Sequence, residues 1–147
     1  MQPTDESKQL REEVRRMERK LGILEDGQMC CGALTMAQCH ALVEIGRAGS
    51  LSLGDLASLL NLDSSTTSRT VNNLVGRRMA KREQAAGDRR YVAIALTPAG
   101  TVHFREIESS MNDYFARIYA AIPKENRISV LESLRVLLQA IEDSGCC

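Results

Sequence analysis

The fold is decided by residues 52–78, which read SLGDLASLLNLDSSTTSRTVNNLVGRR. Apolar residues at helical spacing predict a short helix over 53–60, and Asn61 then tolerates the left-handed conformation that a tight turn between helices requires. Asp63 is a good N-cap for a second helix that runs to about Arg78. Two helices joined by so few residues cross at a steep angle, which predicts a helix-turn-helix. The second helix is the candidate reading helix, the one that would lie in a groove of a nucleic acid.

Residues 80–96 follow with a different period. Val92, Ile94 and Leu96 alternate with alanines, and the turn chemistry of residues 85–88 precedes this run. The pattern predicts a β-hairpin beside the reading helix. We therefore expect a chain that is mainly α with one small hairpin.

Helices are predicted on both sides of this unit. Thr35 is a plausible N-cap for a helix over 36–47. Thr97-Pro98 predicts the start of a long helix, which Pro123 interrupts before a last helix over about 124–143.

Both terminal helices carry apolar faces in a charged background. The face of the first helix consists of Leu10, Val14, Met17, Leu21 and Leu24, and that of the last consists of Ile128, Leu131, Leu134, Leu138 and Ile141. These faces hold more hydrophobic surface than a lone reading unit can cover. The pattern favours a partner, although folding back on the same subunit stays open.

Charge is concentrated in one segment of an otherwise balanced chain. The 147 residues carry 19 basic and 19 acidic side chains and are 44% hydrophobic, which suits one domain without net charge. Residues 63–98 nevertheless hold seven basic and three acidic side chains, a local charge of +4. Such a segment concentrates attraction for an anionic polymer on one face.

Several functional classes are disfavoured. No apolar run is long enough to span a membrane and the N-terminus lacks a secretory pattern, so we expect a cytoplasmic protein with no membrane partner. No phosphate-cradling glycine loop, Gly-x-Ser-x-Gly or His-Glu-x-x-His occurs. Cys39 and His40 are neighbours that point to different sides of a helix, and proton transfer between them is therefore disfavoured. We expect no enzymatic activity.

The predicted reading helix presents hydroxyl, amide and guanidinium groups to a major groove. These candidate DNA contacts are Ser64, Ser65, Thr66, Ser68, Arg69, Asn72 and Asn73. Arg69 is the best candidate for a guanine or phosphate contact, and the first amides of the helix, at Ser64 and Ser65, are candidates for a phosphate. The alternative is that the hydroxyls only cap the helix and that Arg69 is a solvated charge.

The hairpin tip carries Asp88-Arg89-Arg90. Arginines on a short projection can enter the minor groove, where the potential is most negative. We expect Arg89 or Arg90 to reach DNA, with the choice between them open. The alternative is a polar turn whose charges serve solubility.

The motifs and their order resemble the MarR family of winged helix-turn-helix regulators. The resemblance rests on Ser68-Arg69-x-Val71-x-x-Leu74, Met79-Ala80-Lys81-Arg82, Asp88-Arg89-Arg90 and Leu96-Thr97-Pro98-Ala99-Gly100. The chief departure is Met79-Ala80, where the family usually has a glycine and larger apolar residues. The resemblance implies a winged helix-turn-helix with terminal dimerisation helices, in which Asp88 orients an arginine by a salt bridge.

This resemblance also implies an organisation and a function. Residues 1–34 are expected to hold a dimerisation helix and a cysteine-containing loop, 35–97 the DNA-binding domain, and 98–147 further dimerisation helices and a cysteine tail. The expected protein is a homodimer that binds a palindromic operator in double-stranded DNA, as a repressor that an effector releases. The alternative of another class is a protein-interaction dimer that does not bind DNA.

The cysteines are the unusual feature. An odd number in a reducing compartment argues against a structural disulfide framework, and CxxC zinc spacing is absent. Adjacent thiols can share a thiophilic ion, so we predict an effector site for arsenic, antimony, cadmium or mercury, with no obligatory cofactor. The candidate ligands are Cys30, Cys31, Cys39, Cys146 and Cys147.

Two alternatives to an ion site stay open for the effector. Exposed thiolates can oxidise and condense to a disulfide, as in some relatives, although Cys30-Cys31 falls after the first helix rather than near it. The typical relative instead binds a small aromatic acid in a crevice between the dimer arms and the reading unit. Cys39 has the further alternative of being a small core residue.

Overall fold

The computed structural model describes residues 2–22, 33–84, 87–88 and 90–145. The predicted positions that lie outside this description are Leu24, Cys30, Cys31, Ala85, Ala86, Arg89, Cys146 and Cys147. The chain divides into two compact units, residues 1–108 and 109–147. The functional division at residues 34 and 97 stays a prediction.

Six α-helices and three short strands make up the described chain. The helices are α1 (Asp5–Lys20), α2 (Met36–Ala48), α3 (Leu53–Leu60), α4 (Ser64–Gly76), α5 (Pro98–Ala121) and α6 (Arg127–Ser144), with a 3₁₀ turn at Lys124–Asn126. The strands are β1 (Ser50–Ser52), β2 (Ala80–Gln84) and β3 (Val92–Leu96). None of these helices is long and apolar enough to cross a membrane.

Local capping chemistry defines the helix-turn-helix. The Ser52 hydroxyl accepts the N–H of Asp55 at the start of α3, and Asn61 ends that helix with φ 53° in the left-handed region. Asp63 then caps α4, accepting the N–H of Thr66 at 2.8 Å. The prediction of two helices joined by a tight turn is confirmed, and α4 is the helix for which DNA contact is predicted.

The core of the first unit lies where α2, α3, α4 and β3 meet. Its largest fully buried side chains are Leu42, Ile45, Leu56, Thr67, Val71, Leu74 and Ile94. Removing them from water supplies the main driving force for ordering α4, whose sequence is rich in β-branched and hydroxyl residues of modest helix propensity. The residues that α4 buries in this core therefore determine which of its residues face the solvent.

The predicted hairpin belongs to a three-stranded antiparallel sheet with the order β1-β3-β2. Leu51 of β1 pairs with Ile94 of β3. Three residues are too few to show an alternating pattern, so β1 was missed. The predicted inward alternation is also incomplete, because β3 is the central strand and buries Ala95 as well as Ile94, while Val92 is half exposed.

The second unit joins the end of α5 to α6 through the predicted break at Pro123. Arg127 stabilises this corner: its Nε donates to the carbonyl of Ile122 at 3.1 Å and its Nη2 to that of Ala120 at 3.0 Å. The guanidinium also lies 5.1 Å from the centre of the Tyr119 ring. Carbonyls at the end of α5 are thus satisfied by the first residue of α6.

Apolar faces of the terminal helices are uncovered in the single chain. No residue of α6 is buried, and Leu138 and Ile141 are 60% and 54% exposed. No residue of α1 is buried either, and Leu10 is 50% exposed. Exposed apolar surface of this extent marks an interaction surface.

Candidate nucleic-acid interface

The predicted DNA-contacting residues of α4 lie on its outward side. Five of them are exposed and two half-buried, and none belongs to the core. The exposed ones are Ser64, Ser65, Arg69, Asn72 and Asn73, and the half-buried ones are Thr66 and Ser68. This distribution follows from the burial of Thr67, Thr70, Val71 and Leu74 on the opposite side.

Asp63 engages the hydroxyls at the start of this face. Its carboxylate accepts the hydroxyls of Ser65 and Thr66, each at 2.6 Å, and the N–H of Thr66. Hydrogen bonds from the Ser65 and Thr66 side chains, followed by the Thr66 N–H, hold the pKa of Asp63 well below its usual range. Two of the predicted DNA contacts, Ser65 and Thr66, therefore have hydroxyls that are bonded to the N-cap. The Asp63 carboxylate also places a negative charge at the start of α4, where a phosphate contact was predicted.

Asn73 is also engaged locally. Its side-chain amide donates to the carbonyl of Arg69 at 3.1 Å. Ser68, Arg69 and Asn72 make no side-chain hydrogen bond with any other described residue. These three side chains remain available to an external partner and form what we call the reading triplet.

The wing, residues 80–96, brings a second cationic element into the same compact unit. Asp88 accepts the backbone N–H of Arg90 at 3.0 Å and pairs with its guanidinium at 3.3 Å. The Arg90 N–H and then its guanidinium lower the pKa of the Asp88 carboxyl. The Arg90 side chain is nevertheless 87% exposed, so the ion pair orients it without burying it.

Four further cations extend this surface and were not assigned to the site from the sequence. Arg77 and Arg78 follow α4, and Lys81 and Arg82 lie on β2, all exposed. Lys81 pairs with Glu83 at 3.3 Å. The local charge of +4 was the sequence signal for these four residues, because it includes the cations that lie between α4 and the hairpin tip.

The predicted soft-ion ligands fall mostly outside the described residues. Within 2–22, 33–84, 87–88 and 90–145, no group of three or more His, Cys, Asp or Glu residues could hold a metal ion. Cys39 is buried in α2 and is disulfide-bonded. The expectation concerned a structural disulfide framework, and a disulfide at Cys39 agrees with the alternative in which thiols oxidise and condense to a disulfide.

A small cavity lies at the junction of α2, β3 and α5. It has a volume of about 240 Å³ and is lined by Gly46, Gly49, Leu96, Thr101, Phe104 and Arg105. Phe104 supplies an aromatic wall and Arg105 a cationic rim.

Comparison with known sequences finds similarity to the same family that the motifs resemble. The model of the MarR family matches residues 34–90, which include α2, α3 and α4. The HTH-type transcriptional repressor MdtR of Bacillus subtilis (strain 168) is 24% identical over 109 residues, which cover 74% of this chain and 70% of the repressor. An uncharacterized HTH-type transcriptional regulator of the same organism, YfiV, is 25% identical over 111 residues, which cover 76% of this chain and 69% of the regulator.

Solved structures share the fold over most of the chain. Streptococcus pneumoniae FabT, crystallised in complex with DNA, superposes with a TM-score of 0.80 at 19% identity, covering 92% of this chain and 97% of FabT. A MarR family transcriptional regulator from Silicibacter pomeroyi DSS superposes with a TM-score of 0.73 at 26% identity, covering 91% and 90% of the two chains. The predicted winged helix-turn-helix fold is thereby confirmed.

Proposed function

From the match of residues 34–90 to the MarR family model and the shared winged helix-turn-helix fold, we propose that the chain is a transcriptional regulator that binds an operator in double-stranded DNA as a homodimer. The observation that carries this proposal is the exposed reading triplet on α4, in the same compact unit as the exposed Arg90 of the wing. The DNA-bound structure of the similarly folded FabT supports DNA as the partner.

The reading triplet offers the chemistry that base readout requires. Arg69 can donate two parallel hydrogen bonds to guanine, and Asn72 can pair with both edge atoms of adenine. Ser68 is small enough to allow close approach to a groove. Arg90, with Arg89 as the open alternative, would contact the minor groove, and the surrounding lysine and arginines would supply phosphate attraction.

A second copy of the chain would cover the apolar faces of the terminal helices and would bind the second half-site of an operator. One reading helix covers one half-site, and two half-sites read from the same side of a duplex lie about 34–36 Å apart. Pairing of α1 and α6 between two copies would cover side chains such as Leu10 and Leu138. Two-fold symmetry of such a dimer matches a palindromic operator, and we propose that the bound dimer represses transcription.

The test is a fluorescence-anisotropy titration of the DNA upstream of the protein's own gene at two salt concentrations. We expect specific binding that weakens steeply with salt, because phosphate contacts release counterions. Arg69→Ala should lower affinity by about 1–3 kcal/mol and relax base preference. Arg117→Ala, which removes an exposed arginine of α5 outside the reading helix and wing, is the matched control.

The rival is a protein-interaction dimer without DNA affinity. Retention of no duplex at low salt would favour it. Unchanged binding by Arg69→Ala would instead remove that residue from the interface while leaving DNA as the partner.

For the effector, we propose a thiophilic ion bound by cysteine thiolates, and oxidation of the same thiols is the second candidate. Soft ions such as trivalent arsenic or cadmium prefer thiolate ligands, and adjacent cysteines occur at Cys30-Cys31 and Cys146-Cys147. The disulfide at Cys39 specifically favours oxidation, because it removes one of the predicted ligands. The cavity beside Phe104 supports a small aromatic acid as a third effector class.

Parallel titrations of the reduced protein–DNA complex with arsenite, cadmium, peroxide and salicylate distinguish these effectors. If the ion is the effector, arsenite or cadmium releases the DNA and Cys30→Ser plus Cys31→Ser abolishes this release without weakening DNA binding. Release by peroxide alone, reversed by a dithiol and lost in Cys39→Ser, supports oxidation. Release by salicylate alone supports the aromatic ligand.

A further inference from the structure

The start of α5 is bonded to the turn that links the reading helix to the wing. This joining turn, residues 77–79, lies between α4 and β2. The Thr97 hydroxyl donates to the carbonyl of Arg78 at 2.6 Å, and the Thr97 N–H donates to the carbonyl of Met79 at 3.0 Å. One residue therefore holds two consecutive carbonyls of the joining turn.

The same hydroxyl also caps α5. It accepts the N–H of Gly100 at 3.0 Å while it donates to Arg78, so its position is set from both sides. Arg78 has a φ of 59°, in the left-handed region that residues with a side chain rarely adopt. Such a conformation persists where the surrounding structure holds it, and the Thr97 hydroxyl is one such contact.

Gly100 allows α5 to approach the joining turn closely. A Cβ at this buried position would overlap the carbonyl oxygen of Met79. Because the obstacle is backbone rather than a movable side chain, any other residue would push α5 and the turn apart. Thr97 and Gly100 thus both contact the Met79 carbonyl, and the Thr97 hydroxyl also binds that of Arg78.

From this geometry we propose that Thr97 and Gly100 are positioning residues for DNA binding. They fix the joining turn and with it the placement of β2 relative to α4. The reading triplet and the wing can contact one duplex together only while that placement is kept. This inference rests on the proposed function, because its consequence is a loss of DNA affinity.

The first test compares the wild-type chain with three variants by fluorescence anisotropy on the duplex from upstream of the gene. Thr97→Val removes the hydroxyl with little change in size, and Thr97→Ser keeps it. Thr35→Val is the matched control, because the Thr35 hydroxyl caps α2 through the N–H of Gln38 at 3.3 Å and does not bond to the joining turn. We expect about a tenfold loss of affinity for Thr97→Val, with near wild-type affinity for the other two.

The second test is hydrogen exchange in the absence of DNA, which separates positioning from capping. Thr97→Asp retains an N-cap for α5, but its carboxylate cannot donate to Arg78. Faster exchange in residues 77–84 with α5 still protected is expected, and it is not expected in Thr35→Val. This arm remains informative if Thr97→Val does not fold.

The inference is overturned if Thr97→Val binds DNA like the wild type or loses no more affinity than Thr35→Val. Unchanged exchange of residues 77–84 in Thr97→Asp overturns it as well. Failure of the wild-type protein to bind any duplex contradicts the proposed function instead, while the exchange comparison still reports on the joining turn.

Discussion

Helices α4 and α6 differ in how much of their apolar side the single chain covers. Both are amphipathic, but α4 buries Thr67, Thr70, Val71 and Leu74 within its own chain, whereas α6 buries nothing. The inward side of α4 is thus covered by residues of its own chain. This packing also determines which polar residues of α4 face outward. The apolar side of α6 is left for another surface, which we propose to be a second copy.

The largest expected effect tests the buried side of α4. Leu74→Ala should lower the free energy of unfolding by about 2–5 kcal/mol, because it removes a fully buried side chain and leaves a cavity. Leu59→Ala, at a 57% exposed position of α3, is the matched control and should cost far less. Denaturant unfolding followed by circular dichroism measures both, and equal losses would contradict the assigned core.

The next effect tests the uncovered side of α6. Leu138→Asp should convert the protein to monomers and lower operator affinity by at least about tenfold, because a charge would be buried in the proposed interface. Glu142→Ala, on the same helix, is the control. Sedimentation velocity measures the oligomeric state, and an unchanged dimer would show that this position of α6 does not face a second copy.

A pair of neighbouring asparagines tests the outward side of α4. Asn72→Ala should cost about 1–3 kcal/mol of operator affinity, as expected for loss of a bidentate base contact. Asn73→Ala should cost less, because the Asn73 amide is already bonded to the Arg69 carbonyl. Anisotropy titrations on the operator and a scrambled duplex compare them, and a larger effect at Asn73 would reverse the assignment.

The smallest expected effect concerns the N-caps of α4 and α6 and the pH dependence of stability. The pKa of Asp63 is lowered by folding, so its stabilisation is present above about pH 4 and is lost as the pH falls through the folded-state value. Asp63→Asn should therefore narrow the difference in melting temperature between about pH 7 and about pH 3. Asn126→Ala should not, since Asn126 makes no side-chain cap at the start of α6. An unchanged difference for Asp63→Asn would exclude this linkage.

Local signals account for much of what could be predicted from the sequence. The caps at Thr35 and Asp63 and the turn at Asn61 depend on residues within a few positions, and each was predicted correctly. β1 was not predicted, because its three residues form a strand only through pairing with β3. Its existence depends on a distant segment rather than on its own pattern.

The state of individual site residues was harder to predict. Sequence could show that Ser65, Thr66 and Asn73 lie on the reading helix, but not that neighbouring groups would engage all three side chains. The disulfide at Cys39 and the bond between Thr97 and Arg78 likewise depend on tertiary proximity. Residue type indicates what a side chain can do, and three-dimensional packing decides what it remains available to do.

The most direct measurement is the mass of the protein–DNA complex in solution, determined by sedimentation equilibrium with a duplex from upstream of the gene. We predict two chains on one duplex, with the outward side of each α4 against DNA and the apolar side of each α6 covered by the other copy. A single chain bound with undiminished affinity, or a stable dimer that leaves the duplex free, would contradict this arrangement.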